Sequence, residues 1–408
     1  MDFAILFECQ IANPSRKKEQ QTLRDVVGQA VLADELGFDR FYCVEHHTLE
    51  GYAHSAAPEV TLSYIAARTK RMRVAHGVIP LPFKINHPVR VAERTATLDI
   101  LSGGRLDVGV GRSSSAREQE TFGVTEQESR DELVDGLKAI VKMWTEDEME
   151  YESDHLHIPL RTVRPRPMQE PHPPLLMACT RDDTFALAGN LGVGALSNAA
   201  DGPEATRRKR ALYDAAIAAR KPEDVVGKFT NDKLGATVFT CVRDDRDEAR
   251  RIGLRGMRFF MEASRHWFAR GSHELPDPTT WRDEDIEPAL RAMFEASASG
   301  SFSKLTADTE AAEKSGNGTA KLGVGLGNTN FNADDVLDSR SSAMGNANDT
   351  IDFVERMADA GADECYFVVQ MGGLDNDVVM ESIRQIGKKV IPHFRKPTPT
   401  VFDLDRAI

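Results

Sequence analysis

The chain is poor in cysteine, and none of its five cysteines (Cys9, Cys43, Cys179, Cys241, Cys365) stands in the C-x-x-C spacing of a metal or redox site. Most fall in or beside apolar strand-like runs, where a reduced cysteine behaves as a small hydrophobe. No stretch approaches ~18 continuous apolar residues, so no membrane-spanning helix is expected. Basic side chains are too few to balance the acids, 51 against 64, and the net charge is −13. Nucleic-acid backbones and anionic membranes would repel such a surface, so neither is expected as a partner. The opening Met1-Asp-Phe-Ala-Ile-Leu-Phe lacks the basic region of a secretory signal. These absences predict a soluble, cytoplasmic protein without a metal centre.

What the chain does contain is a recurring unit. Residues 33–44 (A-D-E-L-G-F-D-R-F-Y-C-V) and 358–369 (A-D-A-G-A-D-E-C-Y-F-V-V) each read as a helix end, a glycine suited to positive φ, and a short apolar strand. Weaker copies stand at 101–110 and 188–197. Strands are expected at 2–8, 40–45, 72–79, 105–110, 174–179, 193–197, 235–242 and 364–370. Their apolar runs are continuous, as in a parallel sheet buried on both faces. Between them, Leu23, Val26, Val27, Ala30 and Val31 keep helical spacing, as do Leu133, Leu137, Ile140, Val141 and Trp144. Thr125 and Glu128 supply a capping box to the latter helix. Eight strands with helices between them, in one chain of 408 residues, predict a (β/α)8 TIM barrel. A doubly wound open sheet is the runner-up, but no G-x-G-x-x-G follows the first strand.

Two segments interrupt the pattern. Residues 145–173 are acidic and then proline-rich, and read as an extended excursion leading into the fifth strand. Residues 270–345, between the seventh and eighth strands, are polar and rich in Gly and Ser, with only 283–296 helical in pattern. A connector of that length is expected to be either a functional lid or disordered. The whole of 1–408 is expected to be one barrel domain, with 270–345 as its insertion and 396–408 as a tail.

In a parallel barrel the C-terminal strand ends face the active site. The second strand delivers Glu45-His46-His47 there. Adjacent residues on a strand point to opposite faces and no third ligand has usable spacing, so one titrating histidine suits proton transfer better than a zinc site. The competing reading is a pair of loop-start histidines satisfied by the backbone or by each other. The fourth and fifth strands deliver G-V-G-R-S-S-S (109–115) and T-R-D-D-T (180–184). Each sets an arginine, Arg112 or Arg181, among hydroxyl side chains, with a helix beginning at Thr180–Thr184. Helix N–H groups, a guanidinium and hydroxyls together bind phosphate. The competing readings are surface arginines and ordinary helix capping by Asp182 or Asp183. On the third strand Gly77 permits close approach to the backbone, and the edge of a flat ring system would rest on it; a simple bulge is the alternative.

These pieces together resemble the bacterial luciferase-like family of flavin-dependent monooxygenases. The likeness rests on G-F-D-R-F-Y-C-V-E-H-H (37–47), H-P-V-R-V-A-E (87–93), L-D-I-L-S-G-G-R-L-D-V-G-V-G-R (98–112), the P-H-P-P before the fifth strand and the A-G-A-D-E-C-Y-F segment. It runs through 1 to about 270 and from about 345 to 395. It implies reduced flavin mononucleotide (FMNH2) at the barrel mouth, supplied by a separate NAD(P)H:flavin reductase. Dioxygen is then the co-substrate, a flavin C4a-hydroperoxide the oxidant and a small or medium organic molecule the substrate. His46 falls on the family's histidine for that chemistry and Arg112 on its phosphate-binding arginine. Arg181 and Thr184, with Thr180 between the strand and the helix, fall on further phosphate contacts, although luciferase has a serine at 181. Gly77-Val78 falls on a non-proline cis peptide behind the flavin ring, and Glu45 helps shape that corner. The reactive cysteine of luciferase is Gly111 here, and its tryptophan after the seventh strand has no counterpart near Arg258, which argues against efficient light emission. The mobile loop of the family lies where 270–345 is expanded. The helices at 58–69 and 87–101 match those of the luciferase dimer, so a homodimer is expected. Two alternatives stand beside this reading. One is a deazaflavin-dependent hydride-transfer enzyme, whose relatives favour Asp-His with a nearby Trp at the second strand. The other is a non-catalytic flavin-binding partner subunit, against which His46 and both arginines speak.

Overall fold

The computed structural model describes residues 1–113, 115–197, 202–268, 275–298, 337 and 342–395. Eight strands form the barrel: β1 (Asp2–Phe7), β2 (Arg40–Cys43), β3 (Arg73–Pro80), β4 (Leu106–Gly111), β5 (Leu175–Cys179), β6 (Gly194–Ser197), β7 (Leu234–Val242) and β8 (Glu364–Val368). Each pairs in parallel with its neighbours, and β8 closes on β1 with Asp2 opposite Glu364 and Ile5 opposite Phe367. This is the (β/α)8 barrel that the apolar runs imply. Alternation splits each strand between two cores. Ala4, Leu6, Tyr42, Ala75 and Tyr366 fill the barrel interior, and Phe3, Ile5, Phe41, Val74 and Phe367 pack outward under the helices. Burial on both faces explains why the strands read as unbroken hydrophobic runs.

The recurring unit is realised as expected. Gly37 and Gly361, both at φ +94°, turn the chain from a helix end into β2 and β8. Thr125 and Glu128 make the reciprocal capping box of helix Glu126–Thr145. All five cysteines are buried and unpaired. At the N-terminal end Arg40 bridges Asp107 and Glu364, and Tyr42 donates to Glu364 at 2.8 Å. These ionic and hydroxyl contacts close the barrel floor.

The excursion before β5 is more ordered than its composition suggests. Met149–Glu152 and His157–Arg161 form an antiparallel ribbon, tied to helix Glu126–Thr145 where Tyr151 and Ser153 donate to Asp135. Its outer faces are solvated, so no apolar period marks it. In the segment between β7 and β8, a helix spans Ile286–Ala298, after a 3-10 turn at Asp283–Asp285, and a three-residue strand, Ala343–Gly345, extends the edge of β7. Most of 299–341 and all of 396–408 lie outside the described residues. No described helix is long and apolar enough to cross a membrane.

Candidate functional site

A cleft opens at the C-terminal ends of the strands. His46, Arg112, Thr180 and Thr184 line it together with Gly77 and Val78. A wider groove beside it is lined by charges already paired, such as Arg243 with Glu248 and Arg384 with Glu381. In the cleft around His46, buried atoms of Glu8, Glu45 and Ser113 have no hydrogen-bond partner among the described residues.

His46 follows β2 and is fixed by a residue far away in sequence. Its Nδ1 lies 3.1 Å from Glu118 Oε1, and the same oxygen accepts the backbone N–H of His47 at 2.8 Å. Tyr52 and Phe268 meet the ring edge-on at 5.7 and 6.0 Å. Burial disfavours the imidazolium, but Glu118 outweighs it through charge and hydrogen bond, helped by Glu8 and Glu45, and the His46 pKa rises to about 9. Nε2 has no partner among the described residues, so the ring keeps one nitrogen for a bound molecule.

The two histidines do diverge. His47 turns to Glu45 Oε1 at 3.1 Å and to the edge of Phe122. Glu45 also accepts from Asn86 at 2.6 Å and sits 3.6 Å from Arg94. It lines the cleft, yet its carboxylate is mostly spent on this network. His76, the histidine of β3, lies outside the cleft. It is fully buried, neither ring nitrogen has a partner, and burial followed by the charge of Arg94 pushes its pKa down to about 3. Among the described residues no three His, Cys, Asp or Glu side chains cluster as metal ligands.

Gly77-Val78 is a non-proline cis peptide, and the strand register steps between His76 and Ile79. A Cβ on Gly77 would lie 2.9 Å from Tyr42 Cδ1, and one on Gly111 would lie 2.6 Å from Val78 Cγ2. Any side chain at 111 must therefore displace Val78. Cys9 and Thr48 adopt positive φ, 57° and 59°, immediately after Glu8 and His47. Left-handed backbone at non-glycine positions is held by its surroundings and gathers at functional sites.

The two arginines come together but are not equivalent. Arg181 is engaged by Asp183, with Nε to Oδ1 at 3.0 Å. Arg112 has no hydrogen bond or ion pair among the described residues. Burial, then the charges of Arg181 and Arg130, lower its pKa below the ordinary arginine value. Helix Asp182–Leu191 begins at this point. Thr184 Oγ1 accepts the N–H groups of Thr180 and Arg181 at 3.2 and 3.1 Å, leaving those of Asp182 and Asp183 without an acceptor among the described residues. Asp182 pairs with Arg208 and Asp183 with Arg181. The loop after Arg112 is pinned where the Ser113 carbonyl accepts from Gln119 and Ser129, while the buried Ser113 hydroxyl has no partner among the described residues. Ser114 lies outside the described residues. A free guanidinium beside a like charge, free helix amides and an orphan hydroxyl suit an anion such as a phosphate. The open wall at Gly77 and Gly111 suits a flat ring.

Nothing in the sequence pattern marks Glu118, Tyr52 or the role of Glu8 at this site. Ser115 and Glu118 carry the S-x-x-E spacing of a capping box, and Ser115 does accept the Glu118 N–H at 3.5 Å. The Glu118 carboxylate, however, goes to the histidines.

A family model described as luciferase-like monooxygenase matches residues 1–364. The oxygenase component of flavin-dependent trigonelline monooxygenase from Acinetobacter baylyi is 29% identical over 179 residues, 42% of this chain and 49% of that protein. An F420-dependent glucose-6-phosphate dehydrogenase from Amycolatopsis mediterranei is 28% identical over 223 residues, 53% of this chain and 66% of that protein. The chain spans about half the length of the first curated relatives it matches. The crystal structure of monooxygenase RslO1 from Streptomyces bottropensis superposes with a TM-score of 0.68 at 24% identity, covering 97% of this chain and 100% of that one, a likeness of fold.

Proposed function

The chain belongs to the luciferase-like monooxygenase family, and from that premise we propose that it is the oxygenase of a two-component system, using reduced flavin mononucleotide and dioxygen to oxygenate a small or medium organic substrate. The observation that carries this reading is Arg112, a partly buried guanidinium without a partner, beside Arg181 and the free amides of a helix start. That arrangement supports a phosphate held by Arg112, Arg181, Thr180 and Thr184, with the ring system along Gly77-Val78 and its edge toward Glu45 and His46. When bound, the reduced flavin supplies the electrons that activate dioxygen. The protein's part is to hold the phosphate, to keep the ring on its glycine wall, and to hold or pass a proton at His46 Nε2. The side chains of Tyr52, Phe260 and Phe268 cover this corner and limit water.

A relative whose name includes "oxygenase component" supports a separate reductase as partner. A homodimer through helices Pro58–Arg68 and Pro88–Ser102 is supported by Val60, Tyr64, Ile100 and Leu101, large apolar side chains left exposed on those helices. Hydride transfer with a deazaflavin is the second reading, favoured by the F420-dependent relative. Mixing the anaerobic complex of protein and reduced FMN with oxygenated buffer in a stopped-flow instrument separates the two. An oxygenase delays the return of oxidised-flavin absorbance relative to free reduced FMN. An unchanged trace, together with tighter binding of reduced deazaflavin, supports the second reading instead.

A further inference from the structure

One acid in the cleft remains unexplained. Glu8 follows β1 directly and continues its alternation, so with Ala4 and Leu6 inside the barrel its side chain also points inward. It is 6% exposed, Oε2 is fully enclosed, and no donor reaches either carboxyl oxygen among the described residues. Its neighbours in the cleft are engaged: Glu118 by His46 and His47, and Glu45 through Oε1 by Asn86 and His47, with Arg94 3.6 Å from Oε2. Buried polar atoms without partners are rare enough in native proteins to require a reason. A metal is not that reason, since no cluster of ligands surrounds it among the described residues. The wall around it is apolar and largely aromatic: Leu6, Val44, Phe239, Phe260 and Phe268, with Tyr52 against both Phe260 and Phe268.

We propose that Glu8 is a substrate-recognising carboxyl that selects flat, largely apolar molecules carrying one O–H or N–H donor. The aromatic wall takes the body of such a molecule, and the donor completes the hydrogen bonding that the protein leaves open at Glu8. Burial, with repulsion from Glu118, raises the Glu8 pKa to about 7 against the pull of His46. As a carboxylate, the group accepts the O–H or N–H of the bound molecule. This inference rests on the oxygenase reading for the purpose of the cleft, but not for the chemistry of Glu8.

A matched pair of probes tests it: 2-naphthol and 2-methoxynaphthalene, which differ in the donor, titrated calorimetrically into FMN-loaded wild type, Glu8→Gln and Glu8→Leu. FMN affinity of each protein is measured first, and circular dichroism checks the fold. Wild type should prefer the naphthol by at least about tenfold, Glu8→Leu should lose that preference, and Glu8→Gln, which can still accept, should keep part of it. FMN affinity should be the same in all three. A preference that survives Glu8→Leu, binding of neither naphthalene, or loss of FMN binding in the variants overturns the assignment, the last by giving Glu8 to the cofactor. If wild type binds no FMN, the oxygenase reading fails by itself, and the same titrations on the unloaded protein still decide the role of Glu8.

Discussion

Glu118 Oε1 stands 3.1 Å from His46 Nδ1 and 2.8 Å from the His47 amide nitrogen, so one carboxylate oxygen both orients the imidazole and pins the turn that carries it. The consequence for pH dependence has a definite sign. A histidine raised to about 9 in the folded protein, against 6.5 otherwise, contributes stability that is complete below pH 6.5 and lost as pH rises through 9. Glu8, raised to about 7 from 4.5, acts in the same direction between those values, because its protonated form is the one folding favours. Urea midpoints should therefore fall from about pH 5 to about pH 9.5. Glu118→Gln should remove most of the fall above pH 6.5, on the order of 2 kcal/mol, and leave the lower part in place. A wild-type midpoint that is flat or rises across this range refutes the pairing.

His46→Ala should separate binding from turnover. The ring touches no anion-binding group, so oxidised and reduced FMN should bind within about threefold of wild type. Any oxygenation of a substrate found for the protein should slow by about 100-fold or more, the usual worth of a positioned acid or base. Flavin titration beside product formation checks both. Equal oxygenation by the variant would remove His46 from the chemistry.

Thr184→Val should destabilise the start of helix Asp182–Leu191. It strips the acceptor from two backbone N–H groups, those of Thr180 and Arg181, at a cost of about 1–3 kcal/mol. Thr184→Ser keeps the oxygen and should behave almost as wild type. Chemical denaturation of the pair measures the difference, and an equal loss in both variants contradicts it.

Arg40→Met tests the barrel floor. Glu364 would stay buried with only the Tyr42 hydroxyl, and Asp107 with only Arg73, a loss of about 3–5 kcal/mol. The urea midpoint reports it. A variant of unchanged stability would mean that the floor charges are dispensable.

The sequence made the barrel legible because a parallel strand buried on both faces has to be apolar throughout, and β7 is buried at all nine positions. His46, Arg112 and Gly77 were legible for a related reason: polar or small residues at the end of such a run have few other uses. Glu118 is hidden because it stands 72 residues from His46, and nothing in its local pattern points to that partner. The pairing of Arg181 with Asp183, two residues on, shows the opposite limit. A local partner can occupy a guanidinium without leaving any mark in the pattern of apolar residues. The ribbon at 149–161 escaped because solvated faces impose no period, and Ala343–Gly345 because three residues are too short to show one.

The central claim is that Arg112 and its neighbours hold a flavin phosphate, and anaerobic titration of wild type and Arg112→Ala with reduced FMN and reduced riboflavin tests it most directly. Wild type should bind reduced FMN about 30- to 100-fold more tightly than reduced riboflavin, the worth of one or two charge-assisted hydrogen bonds, and Arg112→Ala should erase most of that gap while leaving riboflavin affinity unchanged. Equal affinities for the two flavins in wild type, or a gap that survives the substitution, would contradict the account.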